Sequence, residues 1–240
     1  MDNSVKITPL DGRLALAASF VRPGSVVCDV GTDHAYLPIW LLQNGICPSA
    51  VACDINEGPL KSAKEHAARF GCDDRITFCL TDGLRGVDLD GCYVKDIVIC
   101  GMGGELIARI YGESSYTRRP DVRGILQPMS RAEDLRASLA QDGFMIEDER
   151  LAEAAGRIYT CLSVVYDGGV RNPAPAELVL GEAHIRRGST EPLFAEYLRK
   201  AVQAAEKKYH GRCSGALDAS AEKALLEELM AIAEKEGVNV

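Results

Sequence analysis

The sequence lacks the features that would place the protein in a membrane or outside the cell. No apolar run reaches the roughly 18 residues needed to cross a bilayer, and the first residues contain no basic stretch followed by an apolar segment. The nine cysteines are odd in number and include no Cys-x-x-Cys pair, so neither a disulfide framework nor a zinc site is indicated. We therefore expect a cytoplasmic protein with free thiols and no bound metal.

Positive charge is also scarce. The chain has 27 Lys and Arg against 35 Asp and Glu, a net charge of −8, which disfavours a nucleic-acid partner because RNA-binding surfaces neutralise phosphates. The distribution is uneven, since residues 186–212 carry seven cations against three acids (+4) and residues 213–240 carry two against six (−4). Two interpretations remain open: two helices pair through opposite charge, or the basic segment faces RNA.

Hydrophobic residues make up 47% of the chain, which is typical of a globular protein with a full core. Short apolar runs alternate with helix-like segments through the first two thirds, the pattern of a mainly parallel α/β sheet with crossover helices. The last two of seven predicted strands have no helix between them, which predicts an antiparallel terminal hairpin. The strands are predicted at 25–29, 50–54, 76–80, 96–100, 124–127, 144–151 and 158–166, and the helices between them at 13–20, 36–44, 59–70, 104–112 and 131–142.

The C-terminal third has a different organisation. Two glycines and two prolines in residues 167–175 predict a break without helix or strand. Apolar stripes at helical spacing then predict two helices, from 191 to about 210 and from 220 to about 236, joined by a turn as an antiparallel helical hairpin. The predicted domains are therefore 1–167 and 168–240.

The strongest motif is an apolar strand that runs into residues 29–34, which read DVGTDH. An acid, Asp29, followed by Gly31 is typical of a turn on which a cofactor lies over the first strand, because glycine avoids a clash with the ligand. A dinucleotide-binding loop would carry its second glycine where this chain has Asp33, and an acid there repels a pyrophosphate. The pattern therefore favours S-adenosylmethionine over NAD.

Acids also end the next two strands. Asp54, 23 residues after Gly31, suits the two ribose hydroxyls, and Asp82 suits the exocyclic amine of adenine. After the fourth strand, residues 101–104 read GMGG, and these glycines let the backbone run beside the methyl-bearing sulfur. The Asn-Pro-Pro-Tyr motif with which many amino-methylating enzymes hold a target amine is absent at this position. Acids at three successive strand ends indicate a nucleoside ligand with several donors.

Several motifs occur in order and are more distinctive than a glycine-rich loop. They include DHAYLP at 33–38 and GMGG at 101–104, together with Arg13-Leu14 and residues 56–59, 82–84 and 126–128. In these motifs the sequence resembles the bacterial TrmK-type tRNA adenine N1-methyltransferases. The resemblance implies a Rossmann-like class I methyltransferase domain, a coiled-coil-like C-terminal hairpin, S-adenosylmethionine as cofactor and tRNA as partner, with methylation at N1 of adenine 22.

Adenine N1 carries a lone pair and attacks a methylsulfonium directly, so the enzyme must mainly position a splayed-out base and favour its developing charge. The predicted catalytic residues are Asp33, His34 and Gln127, with Tyr36 and Met129 as further contacts. His34 and Gln127 have alternatives, as a residue that fixes the loop and as a residue that satisfies backbone at a strand end. The predicted cofactor residues are Arg13 (for the methionine carboxylate), Asp29 (ordering the loop through backbone N–H groups), Gly31, Asp54, Ile55, Asp82, Gly83, Gly101 and Met102.

Two other functions remain open from the sequence. One is a small-molecule methyltransferase in which the hairpin acts as a lid or dimer contact. The other is a non-catalytic RNA-binding protein with a vestigial pocket, which the intact acids at three strand ends disfavour. The sequence does not distinguish a monomer from a dimer.

Overall fold

The computed structural model describes residues 6–240, in which seven strands form one sheet and nine α-helices surround or follow it. In chain order the elements are α1 (Gly12–Phe20), β1 (Val26–Val30), α2 (Tyr36–Gln43), β2 (Ala50–Asp54), α3 (Glu57–Arg69), β3 (Ile76–Leu80), β4 (Val94–Gly103), α4 (Gly104–Glu113), β5 (Arg123–Ser130), α5 (Ala132–Gln141), β6 (Phe144–Ala154), β7 (Arg157–Tyr166), α6 (Pro175–Leu180), α7 (Glu182–Arg187), α8 (Phe194–Ser214) and α9 (Ser220–Glu236).

The strand order is β3-β2-β1-β4-β5-β7-β6, with β1 to β5 parallel and β7 antiparallel to both of its neighbours. The predicted α/β fold with an antiparallel terminal hairpin is confirmed. Strands β2 and β3 lie on one side of β1, whereas β4 and β5 lie on the other, so the strand order reverses at β1. A crevice opens at the carboxyl ends of the strands where the order reverses. This topology determines where a ligand can bind.

The strands are apolar runs because the sheet is covered on both faces. One hydrophobic cluster packs α1, α2 and α3 against the sheet through residues such as Ala17, Leu41 and Ala63. A second cluster packs α4 and α5 against the opposite face through Ile107 and Leu135. The two clusters hold β1 rigidly between them.

Two features of the chain differ from the sequence prediction. Strand β4 does not end at Cys100 but continues through the glycine motif to Gly103, with irregular pairing to β5 at Met102. Such bulges are common next to functional sites. The tail contains α6 and α7 before the predicted pair α8 and α9, because Pro175 opens a helix at its first turn instead of preventing one.

A third hydrophobic cluster lies among the C-terminal helices and contains Leu180, Phe194, Leu198 and Leu229. Helices α8 and α9 form the predicted hairpin. The division at residue 167 remains a prediction, and this separate core supports it.

A buried ion pair joins the sheet to these helices. Arg136 on α5 and Glu149 on β6 are almost completely buried, and Arg136 Nε lies 3.0 Å from Glu149 Oε1. Arg136 Nη1 also donates to the carbonyls of Leu178 and Val179 near the end of α6. Burial opposes ionisation of Glu149, but the attraction of Arg136 and a hydrogen bond from His184 outweigh it and lower its pKa to about 2. This joint fixes α6 against the sheet.

We expect Glu149→Gln to lower the free energy of unfolding by about 3–5 kcal/mol, because it leaves the Arg136 cation buried without a counter-charge. This loss of unfolding free energy should be present above pH 4.5 and shrink as the pH falls toward 2, where Glu149 itself becomes protonated. Urea unfolding at several pH values measures the size of the loss and its dependence on pH. The control Glu147→Gln, on the same strand but in a partly exposed pair with Arg123, should lose less than about 1 kcal/mol. Equal losses in the two variants would contradict this account of the joint.

Candidate active site

A cavity of about 740 Å³ opens at the carboxyl ends of β1, β2 and β4, a volume typical of small-molecule sites. Ten of the twelve predicted site residues line it, and His34 and Gln127 do not. The ten are Arg13, Asp29, Gly31, Asp33, Asp54, Ile55, Asp82, Gly83, Gly101 and Met102. The topology therefore brings together residues that are up to 89 positions apart in the chain.

Asp29 is the most buried acid on the cavity wall, with 7% of its surface exposed. Burial raises the pKa of its carboxyl to about 6, a net effect to which the negative charge of Asp54 adds and which the Thr32 hydroxyl opposes. Among the ion pairs of residues 6–240, none gives Asp29 a cation. The cavity thus holds a buried carboxylate that a positively charged ligand group would stabilise.

The backbone of the first loop is held by strand β2. The N–H groups of Gly31 and Thr32 donate to the Cys53 carbonyl at 2.8 and 2.9 Å. The hydrogen bonds of the described residues include none from a loop N–H to the Asp29 carboxylate, which was the role expected for Asp29. Because the first two N–H groups of the loop are already bonded, they cannot hold a phosphate, which agrees with the interpretation that Asp33 disfavours a dinucleotide.

Glycine is favoured at position 31 for a reason that the sequence does not show. Its φ of +76° is in the left-handed region, and a Cβ at this position would collide with the terminal methyl of Met102 from the β4 bulge. The side chain of Met102 therefore occupies the space that a larger residue would fill. The two glycine motifs, on β1 and β4, meet at this contact.

His34 and Gln127 lie beside the cavity rather than on its wall. His34 has a left-handed φ of +55°, and its Nε2 is 3.3 Å from Asp33 Oδ1 at the rim. Gln127 is fully buried, and its Oε1 accepts hydrogen bonds from Arg13 Nη1 at 3.1 Å and from the Gly101 N–H at 3.2 Å. Since its amide nitrogen donates to its neighbour's carbonyl, Gln127 fixes backbone and Arg13 in place.

Arg13 is tied to the wall by several partners. Its Nη2 lies 2.9 Å from Asp11, its Nη1 contacts Gln127 and Met129, and its guanidinium is 5.6 Å from the Tyr159 ring centre. Asp11 was missed by the sequence analysis, although an acid before an apolar run is a helix N-cap signal. It caps α1 by accepting from the Leu14 N–H and also lines the cavity.

The other two acids differ in environment. Asp54 Oδ1 accepts the Asn56 N–H at 2.8 Å, and Ile55 beside it is 62% exposed, which leaves an apolar edge at the opening. Asp82 lies 3.3 Å from Arg109 and 3.6 Å from Arg85. Arg109 also lines the cavity and was not predicted, because its pairing joins α4 to the end of β3 and leaves no local pattern in the sequence.

Among residues 6–240, no group of three or more His, Cys, Asp or Glu side chains is placed to hold a metal ion. No helix within these residues is long and apolar enough to cross a membrane.

Comparisons with known proteins agree with this geometry. Residues 10–162 match a family described as a methyltransferase domain. The tRNA (adenine(22)-N(1))-methyltransferase of Bacillus subtilis is 34% identical over 165 residues, which cover 69% of this chain and 68% of the relative. The solved structure of the Bacillus subtilis m1A22 tRNA methyltransferase TrmK has a TM-score of 0.78 at 28% identity and covers 95% of this chain and 98% of that one. A Streptococcus pneumoniae protein solved with S-adenosyl-L-methionine has a TM-score of 0.77 at 35% identity, over 92% and 97% of the chains.

The sheet topology, the cavity at its strand reversal and the matched family model define the chain as a methyltransferase-domain protein. It belongs to the family of the tRNA (adenine(22)-N(1))-methyltransferases. The resemblance inferred from the motifs is thereby confirmed.

We expect Gly31→Ala to weaken binding of S-adenosylhomocysteine about tenfold, because the new methyl group would displace the end of the Met102 side chain, which forms part of the cavity wall. Isothermal titration calorimetry measures the affinity. Gly24→Ala is the matched control, since Gly24 has a similar φ of +82° but nothing within 4 Å of the added Cβ. In the control, backbone strain should lower the free energy of unfolding by about 1–2 kcal/mol, and the affinity for S-adenosylhomocysteine should not change. Equal affinities for both variants would rule out the Met102 contact as a constraint.

We expect Asp29→Asn to stabilise the ligand-free protein at pH 8 by about 2–3 kcal/mol. Folding raises the pKa of Asp29 from 3.8 to about 6, so the native carboxylate is destabilised, and the free energy of unfolding falls as the pH rises through this interval. The difference between variant and wild type should vanish below pH 4. Urea unfolding across this range measures it, and parallel pH profiles for the two proteins would refute the assignment.

Proposed function

We propose that this protein transfers the methyl group of S-adenosylmethionine to N1 of an adenine in tRNA, at position 22 as in the relatives' names. The observation that carries the proposal is Asp29, a buried carboxylate without a cation on the wall of the cavity at the strand reversal. A ligand that brings positive charge and no phosphate matches it. NAD does not, because it brings a pyrophosphate.

The described residues fit the cofactor. Asp29 would face the positively charged amino acid end of the ligand, and Asp54 would accept hydrogen bonds from the ribose hydroxyls. The exposed side chain of Ile55 offers an apolar surface to the adenine ring, and Asp82, held by Arg109, an acceptor for its amine. At Gly101 the wall carries no side chain of its own, so the ligand could lie close to the backbone there.

When bound, S-adenosylmethionine supplies an electrophilic methyl group on a sulfonium. The chain positions the acceptor and favours the positive charge that develops on the adenine ring. Asp33 lies at the rim of the cavity with a largely exposed carboxylate, which suits it to this electrostatic role. His34 is 3.3 Å from Asp33 and orients it, while Gln127 holds Arg13 and the backbone of Gly101 behind the wall.

Methyl transfer to tRNA is tested with labelled S-adenosylmethionine and two transcripts, one with adenine 22 and one with guanine there. We expect label in the first transcript alone, located at N1 by nucleoside analysis. Absence of label from both transcripts would contradict the assignment of tRNA as the substrate. If label then appeared in a small molecule from a cell extract, this result would favour a small-molecule methyltransferase. Binding of S-adenosylhomocysteine without any transfer would favour the non-catalytic alternative.

The ion pairs of residues 186–212 bear on the two interpretations of this basic segment, which are pairing with the acidic helix and contact with RNA. Among the described residues, Arg212–Glu222 is the only ion pair that crosses from α8 to α9, so attraction between opposite charges contributes little to the packing of these two helices. Arg187 belongs to the buried joint, where it contacts Asp148 and Glu191. Lys207 and Lys208 are exposed on α8 and have no ion pair among the described residues. We take these two lysines as the RNA-facing cations.

Replacing both lysines, Lys207→Gln with Lys208→Gln, should weaken tRNA binding and reduce the slope of log affinity against log salt by about 2. The affinity for S-adenosylhomocysteine should not change. Lys95→Gln with Arg119→Gln is the control, because it removes the same charge at the amino ends of β4 and β5, the edge opposite the cavity. Filter binding at several salt concentrations measures the slopes. Equal slopes for the two double variants would show that Lys207 and Lys208 on α8 do not contact the RNA.

Cytoplasmic location follows from this proposal, since tRNA is modified there.

A further inference from the structure

The turn between β1 and α2 contains two strained residues in succession. His34 and Ala35 have φ values of +55° and +53°, and neither is glycine. A left-handed conformation is unfavourable for such residues, so contacts from outside the turn must hold it. Two cavity residues flank this turn, Asp33 directly before it and Tyr36 directly after it.

One of those contacts comes from α3. The Nδ1 atom of His66 lies 3.3 Å from the carbonyl oxygen of His34. The His66 ring is also packed against the rings of His34 and Tyr36, with centroids 5.1 and 5.5 Å apart. His66 is partly buried and does not line the cavity, so it acts on the site through the turn and through the ring of Tyr36.

We propose that His66 is a positioning residue for methyl transfer: by donating its Nδ1–H to the His34 carbonyl, it holds the strained turn in the shape that places Asp33 and Tyr36 on the cavity. The functional part of this role rests on the proposed tRNA methylation. The hydrogen bond is central, because it acts on the peptide unit between the two left-handed residues, whereas the ring contacts act only on side chains.

Two variants separate the hydrogen bond from the ring. The side-chain nitrogen of asparagine takes nearly the same place as the histidine Nδ1, so His66→Asn keeps the donor and removes the ring. His66→Phe keeps a ring of similar shape and removes the donor. Asparagine, phenylalanine and histidine have similar helix propensities, so α3 should tolerate both changes.

Amide hydrogen exchange of residues 33–37 should be at least about tenfold faster in His66→Phe than in the wild type and nearly unchanged in His66→Asn. In the labelled methyl assay, kcat should fall about tenfold in His66→Phe, with KM for tRNA and thermal stability close to wild type, and His66→Asn should retain most of the rate. The proposal would be overturned if His66→Phe had the exchange rates and the kcat of the wild type. It would also be overturned if His66→Phe and His66→Asn had equal defects. A wild-type protein that transfers no methyl group to tRNA would refute the proposed function instead, and the exchange rates would still decide whether His66 holds the turn.

Discussion

The site depends on one unfavourable arrangement, a carboxylate buried at the end of the central strand. Asp29 lies between β2 and β4, where burial raises its pKa to about 6 and no cation of residues 6–240 pairs with it. A fold keeps such a group only where surrounding structure enforces it. The clusters on both sheet faces supply that support, and the positive charge that the carboxylate lacks is left for a ligand.

The other features of the site surround the end of β1, where Asp29 lies. In the loop that follows Asp29, the N–H groups of Gly31 and Thr32 bond to β2, and Gly31 leaves room for Met102 from the β4 bulge. The turn after the loop then takes two left-handed residues to bring Asp33 and Tyr36 to the cavity. Gln127 supports the opposite wall from β5. The left-handed turn and the buried carboxylate without a cation therefore lie together at the strand reversal.

The sequence allowed the seven strands and the acids at three strand ends to be predicted, because both are local patterns in apolar runs that end in an acid. The hydrogen bond between Gln127 and Arg13 could not be predicted, since it joins residues 114 positions apart, whereas the contact of Gln127 with backbone was one of the two roles that the sequence suggested. His66 was missed for the same reason: its partner on the β1–α2 turn is far away in the sequence. Helix α6 was missed because Pro175 was interpreted as a breaker, although proline suits a first helical turn.

The most direct test of this account is the number of protons exchanged when S-adenosylhomocysteine binds. Calorimetric titration at pH 6 in two buffers of different ionisation enthalpy measures it. Asp29 is about half protonated at this pH and must ionise to face the ligand's ammonium group, so we predict release of about half a proton per ligand, and none in Asp29→Asn. A binding enthalpy that is independent of the buffer, or the same release in the Asp29→Asn variant, would contradict the central role of this carboxylate.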